Sequence, residues 1–290
     1  DQSNAVYLRK VRCHSKTKTL VTCHDFIAIR TALGEFHSAP ETSRTGRKLQ
    51  SWIRNSLKYA DHFACDSIQT KKDLHRIVPR SNANSTVIYL GTDLNHANSS
   101  NSNKSTNNLP TNTLASPFLL HVGSSAWYKN RKAVFKSYIN AKKQKGFEDL
   151  KLILVGPSPQ PHEIDSDFKN WIKNNRKCIL FFEKVSDVQL CNLYKNAVTL
   201  LFPSFIEGFG WPPLEASSLG CPVITTRSGA IPELLGENVM YVDPDKQESM
   251  NLAVCKFLQT KEKIKLNTSV VSNKQCQENY FKLYRNLLNN

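Results

Sequence analysis

The stretch Val198-Thr199-Leu200-Leu201-Phe202-Pro203-Ser204-Phe205-Ile206-Glu207-Gly208-Phe209-Gly210-Trp211-Pro212-Pro213-Leu214-Glu215 begins as an apolar run and ends just past two prolines. A short continuous apolar run is the pattern of a strand buried on both faces. Pro212 and Pro213 open a helix that ends at Gly220, because proline suits the first helical turn and glycine the residue past the last. The chain therefore passes from a buried strand through a loop into a helix N-terminus. There, backbone N–H groups and the positive end of the helix dipole point into the crevice at the strand end. Gly208 and Gly210 allow close approach of a ligand to the backbone. Glu207 falls in the loop and Glu215 in the first turn of the helix, so carboxylates flank any phosphate held by the helix end. Taken alone, the pair is also explained as a loop cap and a partner for the dipole; the whole string is far rarer than the pair.

Outward from this loop, strand-like and helix-like patterns alternate. Phe118-Leu119-Leu120-His121-Val122-Gly123 reads as a buried strand, and Val134, Phe135, Tyr138 and Ile139 recur at helical spacing before Gly146. Lys151–Gly156 and Cys178–Phe182 are further strands, with a helix near Phe168, Trp171 and Ile172 between them. Ser186 caps a helix carrying Val188, Leu190, Leu193 and Tyr194; Ala197–Phe202 and Val223–Thr226 are the next extended runs. Strands separated by helices imply a parallel, doubly wound α/β sheet, which takes ligands at the carboxyl ends of its strands. Upstream, Ala97–Ser116 is almost entirely Asn, Ser and Thr and reads as a linker. Before it, Leu20-Val21-Thr22, His62-Phe63-Ala64-Cys65 and Val87-Ile88-Tyr89-Leu90 read as strands, and Leu49, Trp52, Ile53 and Leu57 as one helix. Three strands are fewer than a full doubly wound domain contains.

The length of 290 residues suggests two domains. No apolar run approaches the ~18 residues of a membrane span, and no signal-peptide pattern opens the chain. The chain begins at Asp1 and its methionines are Met240 and Met250, so a fragment or a trimmed chain is expected. The net charge of +15 is spread: residues 1–96 carry 15 Lys/Arg against 8 Asp/Glu, and residues 97–290 carry 24 against 16. Without a basic block interleaved with aromatics, no nucleic-acid partner is expected. A diffusely basic surface suits phosphate-bearing ligands or peripheral contact with an anionic membrane face. Eight cysteines without a Cys-x-x-Cys pair read as reduced, mostly buried thiols of a cytoplasmic protein. Cys13-His14 and Cys23-His24 lack zinc-finger spacing, and Asp165-Ser166-Asp167 is explained by helix capping, so no metal site is expected.

The loop string resembles the Glu-x7-Glu signature of glycosyltransferase family 4, retaining enzymes of the GT-B fold. Thr22-Cys23-His24-Asp25 is similar to that family's His-Asp loop, and Asp66-Ser67-Ile68-Gln69-Thr70-Lys71-Lys72-Asp73-Leu74 to its Ser-Glu-x-Thr-Lys-x-Asp-Leu segment. Val87–Asp93 resembles the segment before the interdomain linker, and Val122-Gly123-Ser124 with Tyr128-Lys129-Asn130-Arg131 the opening of the donor domain. Gly220-Cys221-Pro222-Val223-Ile224 and Ile231-Pro232-Glu233 match the family's segments downstream of the second glutamate.

The resemblance implies two Rossmann-like doubly wound parallel-sheet domains and transfer of a sugar with retention, using no cofactor or metal. Glu207 would hold the donor sugar with the Gly208, Phe209 and Gly210 backbone; Glu215 would bind the ribose, with Leu214 beside it. Lys129 would neutralise the diphosphate as it leaves, and His24 would face the donor sugar and position the acceptor. Gly123, Ser124 and Arg131 would meet the diphosphate, Arg131 standing in for the arginine that the family often has where this chain has Ser124. Lys184 and Val185 would lie near the base. A retaining glycosidase instead needs two carboxylates ~5 Å apart across the scissile bond, and a dinucleotide-dependent dehydrogenase needs Gly-x-Gly-x-x-Gly, which does not occur.

The first 116 residues hold just Gly34, Gly46 and Gly91, and 24 residues precede Asp25, so the N-terminal domain is expected to be incomplete. The expected layout is a partial acceptor-side domain over 1–96, a linker over 97–116, a donor domain over 117–265, and a closing helix within 266–290 that packs back. The donor reading favours GDP-mannose, with a UDP-sugar as the other choice, and the acceptor is a saccharide or lipid-linked saccharide. The alternative is a non-catalytic nucleotide-sugar-binding remnant of such an enzyme.

Overall fold

The computed structural model describes residues 1–14, 17–78, 84–92, 114–164, 166–260 and 271–289. A 3-10 turn over Gln2–Tyr7 runs into α1 (Leu8–His14), followed by β1 (Leu20–Cys23), α2 (Ile27–Ala32), α3 (Arg44–Leu57), β2 (His62–Cys65), α4 (Ile68–Ile77) and β3 (Ser85–Val87). The second unit comprises β4 (Phe118–Val122), α5 (Arg131–Lys142), β5 (Lys151–Val155), α6 (Ser166–Asn174), β6 (Ile179–Phe182), α7 (Asp187–Asn196), β7 (Thr199–Phe202), α8 (Trp211–Ser218), β8 (Val223–Thr225), α9 (Ile231–Leu235), β9 (Met240–Tyr241) and α10 (Gln247–Thr260); α11 (Asn273–Asn289) closes the chain.

Every strand pair is parallel. The first sheet has the order β1-β2-β3 and the second β6-β5-β4-β7-β8-β9. The second order reverses between β4 and β7, the switch point at which doubly wound sheets open their ligand crevice. Strand alternation sorts the core: Leu120, Ile153, Leu200 and Val223 bury against one face, while Leu119, Leu152, Leu201 and Ile224 bury against the other.

Local signals set the helix starts. Ser43, Ser67 and Ser186 accept N-cap hydrogen bonds from Gly46, Thr70 and Gln189, and Gln189 returns one to complete a capping box. Elsewhere the structure departs from the sequence pattern. The strand expected at Val87–Leu90 lies at Ser85–Val87, because Tyr89 and Leu90 leave the sheet to pack against the second unit. In α3, Ile53 and Leu57 are buried but Leu49 and Trp52 are exposed. The expected linker lies outside the described residues as far as residue 113.

Helices α11 and α9 each tie the second half of the chain to the first unit. Helix α11 returns to the first sheet, where Leu283, Leu287, Tyr280 and Cys276 cover Leu20, Ala64 and Ile88. Glu233 of α9 accepts from the N–H groups of Ile68 and Gln69 at 2.9 and 3.0 Å. These are donors that the first turn of α4 cannot satisfy within its own helix, and a carboxylate is the group its dipole favours. Among the described residues, no helix is long and apolar enough to cross a membrane.

Candidate active site

The loop from β7 to α8 is pinned on all sides. The Phe205 N–H donates to the Tyr128 carbonyl at 2.8 Å, the Glu207 N–H to Ser228 Oγ at 2.6 Å, and Thr226 Oγ1 to the Ser204 carbonyl at 2.7 Å. Gly210, at φ +90°, turns the chain into α8, a conformation costly for other residues. This turn starts the helix at Trp211, so Glu215 sits in its second turn rather than the first. Gly208 is required sterically: a Cβ there would lie 2.1 Å from the His24 carbonyl oxygen. The loop of the second unit is thus seated directly on the His24-Asp25 loop of the first.

Lys129 reaches this loop from the end of β4. A single turn over Trp127–Lys129 ends at Asn130, whose left-handed φ of 50° aims the chain into α5. Lys129 Nζ donates to both Glu207 oxygens, at 2.8 and 3.0 Å, and lies 4.9 Å from the Phe202 ring centroid. Burial pushes the Glu207 carboxyl above its ordinary range, with the Lys129 charge opposing that shift. The result is a desolvated carboxylate and ammonium at the switch point, beside the N-terminus of α8.

His24, half exposed, forms the wall opposite. Its Nδ1 lies 2.6 Å from Oδ2 of Asp66, which is 1% exposed. The hydrogen bond to Asp66 raises the His24 pKa against the opposing effect of burial. Glu215 accepts from Tyr194 OH at 2.9 Å, and burial raises its pKa. A cleft of about 620 Å³ opens alongside, between Ser38, Ala39 and Pro40 of the first unit and Ala126, Trp127, His162 and Phe205 of the second.

The structure brings Glu207, Gly208, Lys129 and the His24 loop together. Phe209 is buried with its ring centroid 5.2 Å from that of Trp211, and the Leu214 side chain is in the core. Gly123 packs so closely that a Cβ on Gly156 would lie 2.1 Å from its carbonyl oxygen, and Ser124 is exposed beside it. Arg131 is 2% exposed and borders the cleft described above; it donates to the Pro157 carbonyl at 2.9 Å, with Nε 3.4 Å from Glu163. Lys184 is exposed and Val185 packs on the core at the end of β6, an edge strand separated from β7 by β5 and β4.

Sequence reasoning missed Asp66, Tyr194, Ser228 and Glu233 as partners of the site. Tyr194 carried a readable signal, since a tyrosine on the buried stripe of a helix needs a partner for its hydroxyl. The described residues contain no group of three His, Cys, Asp or Glu placed to hold a metal ion; Asp165 lies outside them. A cation, a helix N-terminus and hydroxyl-accepting carboxylates around one crevice are suited to a ligand carrying both phosphate and hydroxyl groups.

The sequence profile of the family described as Glycosyl transferases group 1 matches residues 107–275. The O-antigen chain mannosyltransferase RfbU of Salmonella typhimurium is 32% identical over 143 residues, 47% of this chain and 37% of that protein. The O-antigen chain mannosyltransferase B of Escherichia coli is 37% identical over 81 residues, 28% of this chain and 21% of that protein. The matched segments thus cover well under half of these relatives' length. Sucrose-phosphate synthase from Thermosynechococcus elongatus superposes with a TM-score of 0.73 at 20% identity, over 97% of this chain and 70% of that one. The Anabaena protein HepE, in complex with UDP and glucose, superposes with a TM-score of 0.72 at 15% identity, over 98% and 76%.

Proposed function

The chain belongs to the Glycosyl transferases group 1 family, and on that premise we propose that it is a retaining, family 4 hexosyltransferase, moving mannose from GDP-mannose to a saccharide or lipid-linked saccharide. The observation that carries this reading is the Lys129–Glu207 pair, 2.8 Å apart at the switch point, with His24 across the interdomain contact. In this reading the Lys129 ammonium meets negative charge that grows on the departing diphosphate, where a preoriented cation in a desolvated site lowers the barrier. The N-terminus of α8 holds the same diphosphate, Glu207 accepts from the sugar hydroxyls, and Glu215 accepts from the ribose. Support for mannose comes from relatives named as mannosyltransferases. Support for a nucleotide-sugar donor comes from the HepE complex with UDP and glucose. The basic surface, +15 overall, supports a cytoplasmic protein in peripheral contact with the membrane that carries lipid-linked acceptors.

The test is calorimetric titration with GDP-mannose and UDP-glucose, followed by transfer assays with product anomers resolved by NMR. Binding of GDP-mannose in preference to UDP-glucose, with α product from α donor, is expected. Glu207→Gln should retain the fold and lower kcat ~10²-fold or more. Unchanged turnover in Glu207→Gln, or no binding of either donor, would overturn the reading.

A further inference from the structure

Strands β1 and β2 pair in parallel with Cys23 opposite Cys65, so the next residue of each, His24 and Asp66, stand side by side at the carboxyl end of the sheet. Asp66 is fastened there by its own N–H, which donates to the Cys23 carbonyl at 3.2 Å, and by Ser67, which caps α4. Its carboxylate is 1% exposed, one oxygen lies 2.6 Å from His24 Nδ1, and the other has no hydrogen-bond partner. A buried carboxylate with half of its accepting capacity unused is a poor structural element. An apolar residue of similar size would serve the core at least as well, so the arrangement points to a role exerted on His24.

We propose that Asp66 is the positioning residue of the site: it accepts the Nδ1 proton of half-exposed His24, fixes the ring's orientation and tautomer, and leaves Nε2 as the nitrogen free to meet a ligand. The proposal rests on the transfer reaction inferred above, in which that nitrogen meets the donor sugar. With the proton held at Nδ1, the neutral ring presents an acceptor at Nε2, and the imidazolium presents a donor there. The Asp66 charge stabilises the second form, consistent with the upward shift of His24. Other ionisable groups face the dyad: Asp25 near His24, and Cys23, Cys276 and Tyr280 around Asp66. Asp25 adds to the effect of Asp66 on His24.

The experiment uses the full chain labelled with 15N-histidine and long-range 15N–1H correlation spectra, the His24 signals being assigned by their loss in His24→Gln. Wild-type His24 should show the Nδ1–H tautomer when neutral and titrate above an ordinary histidine; in Asp66→Asn its midpoint should fall. In transfer assays, Asp66→Asn should lower kcat/KM ~10–100-fold, with the acid-side limb of the pH profile moving with the NMR midpoint. In a His24→Gln background the same substitution should cost no further activity, since Asp66 would act through the missing ring. A wild-type Nε2–H tautomer, an unmoved midpoint, or an equal loss in the His24→Gln background would overturn the proposal; the first of these needs no variant to fold. If Glu207→Gln abolishes transfer while Asp66→Asn changes neither midpoint nor rate, the positioning role fails and the transferase reading stands. If the midpoint moves but no variant or wild type transfers sugar, the transferase reading fails instead.

Discussion

At the scale of single residues, the site is governed by desolvation. Lys129 and Glu207 are 13% and 7% exposed in their side chains, so each charge depends on the other for solvation. Lys129→Met is expected to leave the Glu207 carboxylate uncompensated and to destabilise the fold by about 3–5 kcal/mol, read as a lower urea midpoint. The substitution also removes the charge that restrains the upward shift of Glu207, so Glu207 should protonate at higher pH than in wild type. Part of the lost stability should therefore return as the pH is lowered through that value, where a neutral carboxyl needs no partner. A urea midpoint that declines on acidification as steeply in Lys129→Met as in wild type would contradict this account. Glu207 and Lys129 were legible in sequence because they lie in long recognisable strings. Their contact was not, since it joins loops after two strands, 78 residues apart.

At the scale of elements, the central strands carry a pH dependence of their own. His121 on β4 is fully buried, its Nδ1–H donates to the Leu201 carbonyl of β7 at 2.8 Å, and its Nε2 has no partner. Burial pushes its pKa down to about 3, whereas a histidine in the unfolded chain titrates near 6.5. Between those values the unfolded chain binds a proton that the native chain does not. Stability is therefore expected to fall as the pH drops from about 6.5 toward 3, this group contributing up to about 1.4 kcal/mol per pH unit. In His121→Leu the slope of the urea midpoint against pH over that window should be shallower, whatever the variant's absolute stability. At the start of α7, Ser186→Ala should cost about 1 kcal/mol through loss of its capping box, read in the thermal midpoint. The pattern Ser186-Asp187-Val188-Gln189 announced that cap in sequence. The 3-10 turn at Gln2–Tyr7, helix α1 and the two-residue strand β9 went unread, since short segments carry too few residues for either periodicity to show.

At the scale of the whole molecule, the site exists only while the two units are held together. Gly208 against His24 and Glu233 across the first turn of α4 are contacts between units. Glu233→Ala should release two N–H groups and loosen the closed arrangement by about 1–2 kcal/mol. The checks are an increased radius of gyration in small-angle scattering and weaker transfer with the Lys129–Glu207 pair untouched. Gly208→Ala cannot be accommodated at 2.1 Å from the His24 oxygen, so the same scattering experiment should show a wider cleft and both sheets intact by circular dichroism. An unchanged radius in both variants would show that other contacts set the closure.

The amino-acid sequence by itself determined the alternation of strands and helices, the parallel sheets, the loop at Glu207 and the motif order that points to the family, because periodicity, capping and glycine placement act over a few neighbouring residues. The tertiary structure alone decided which groups meet: Lys129 with Glu207, Tyr194 with Glu215, His24 with Asp66, and Glu233 with α4. It also set Arg131 beside Glu163 at the edge of the cleft. These choices arise from strand order and register, which place residues distant in sequence at the same strand ends. Local pattern specifies which face of a strand is buried but not which strand lies beside it.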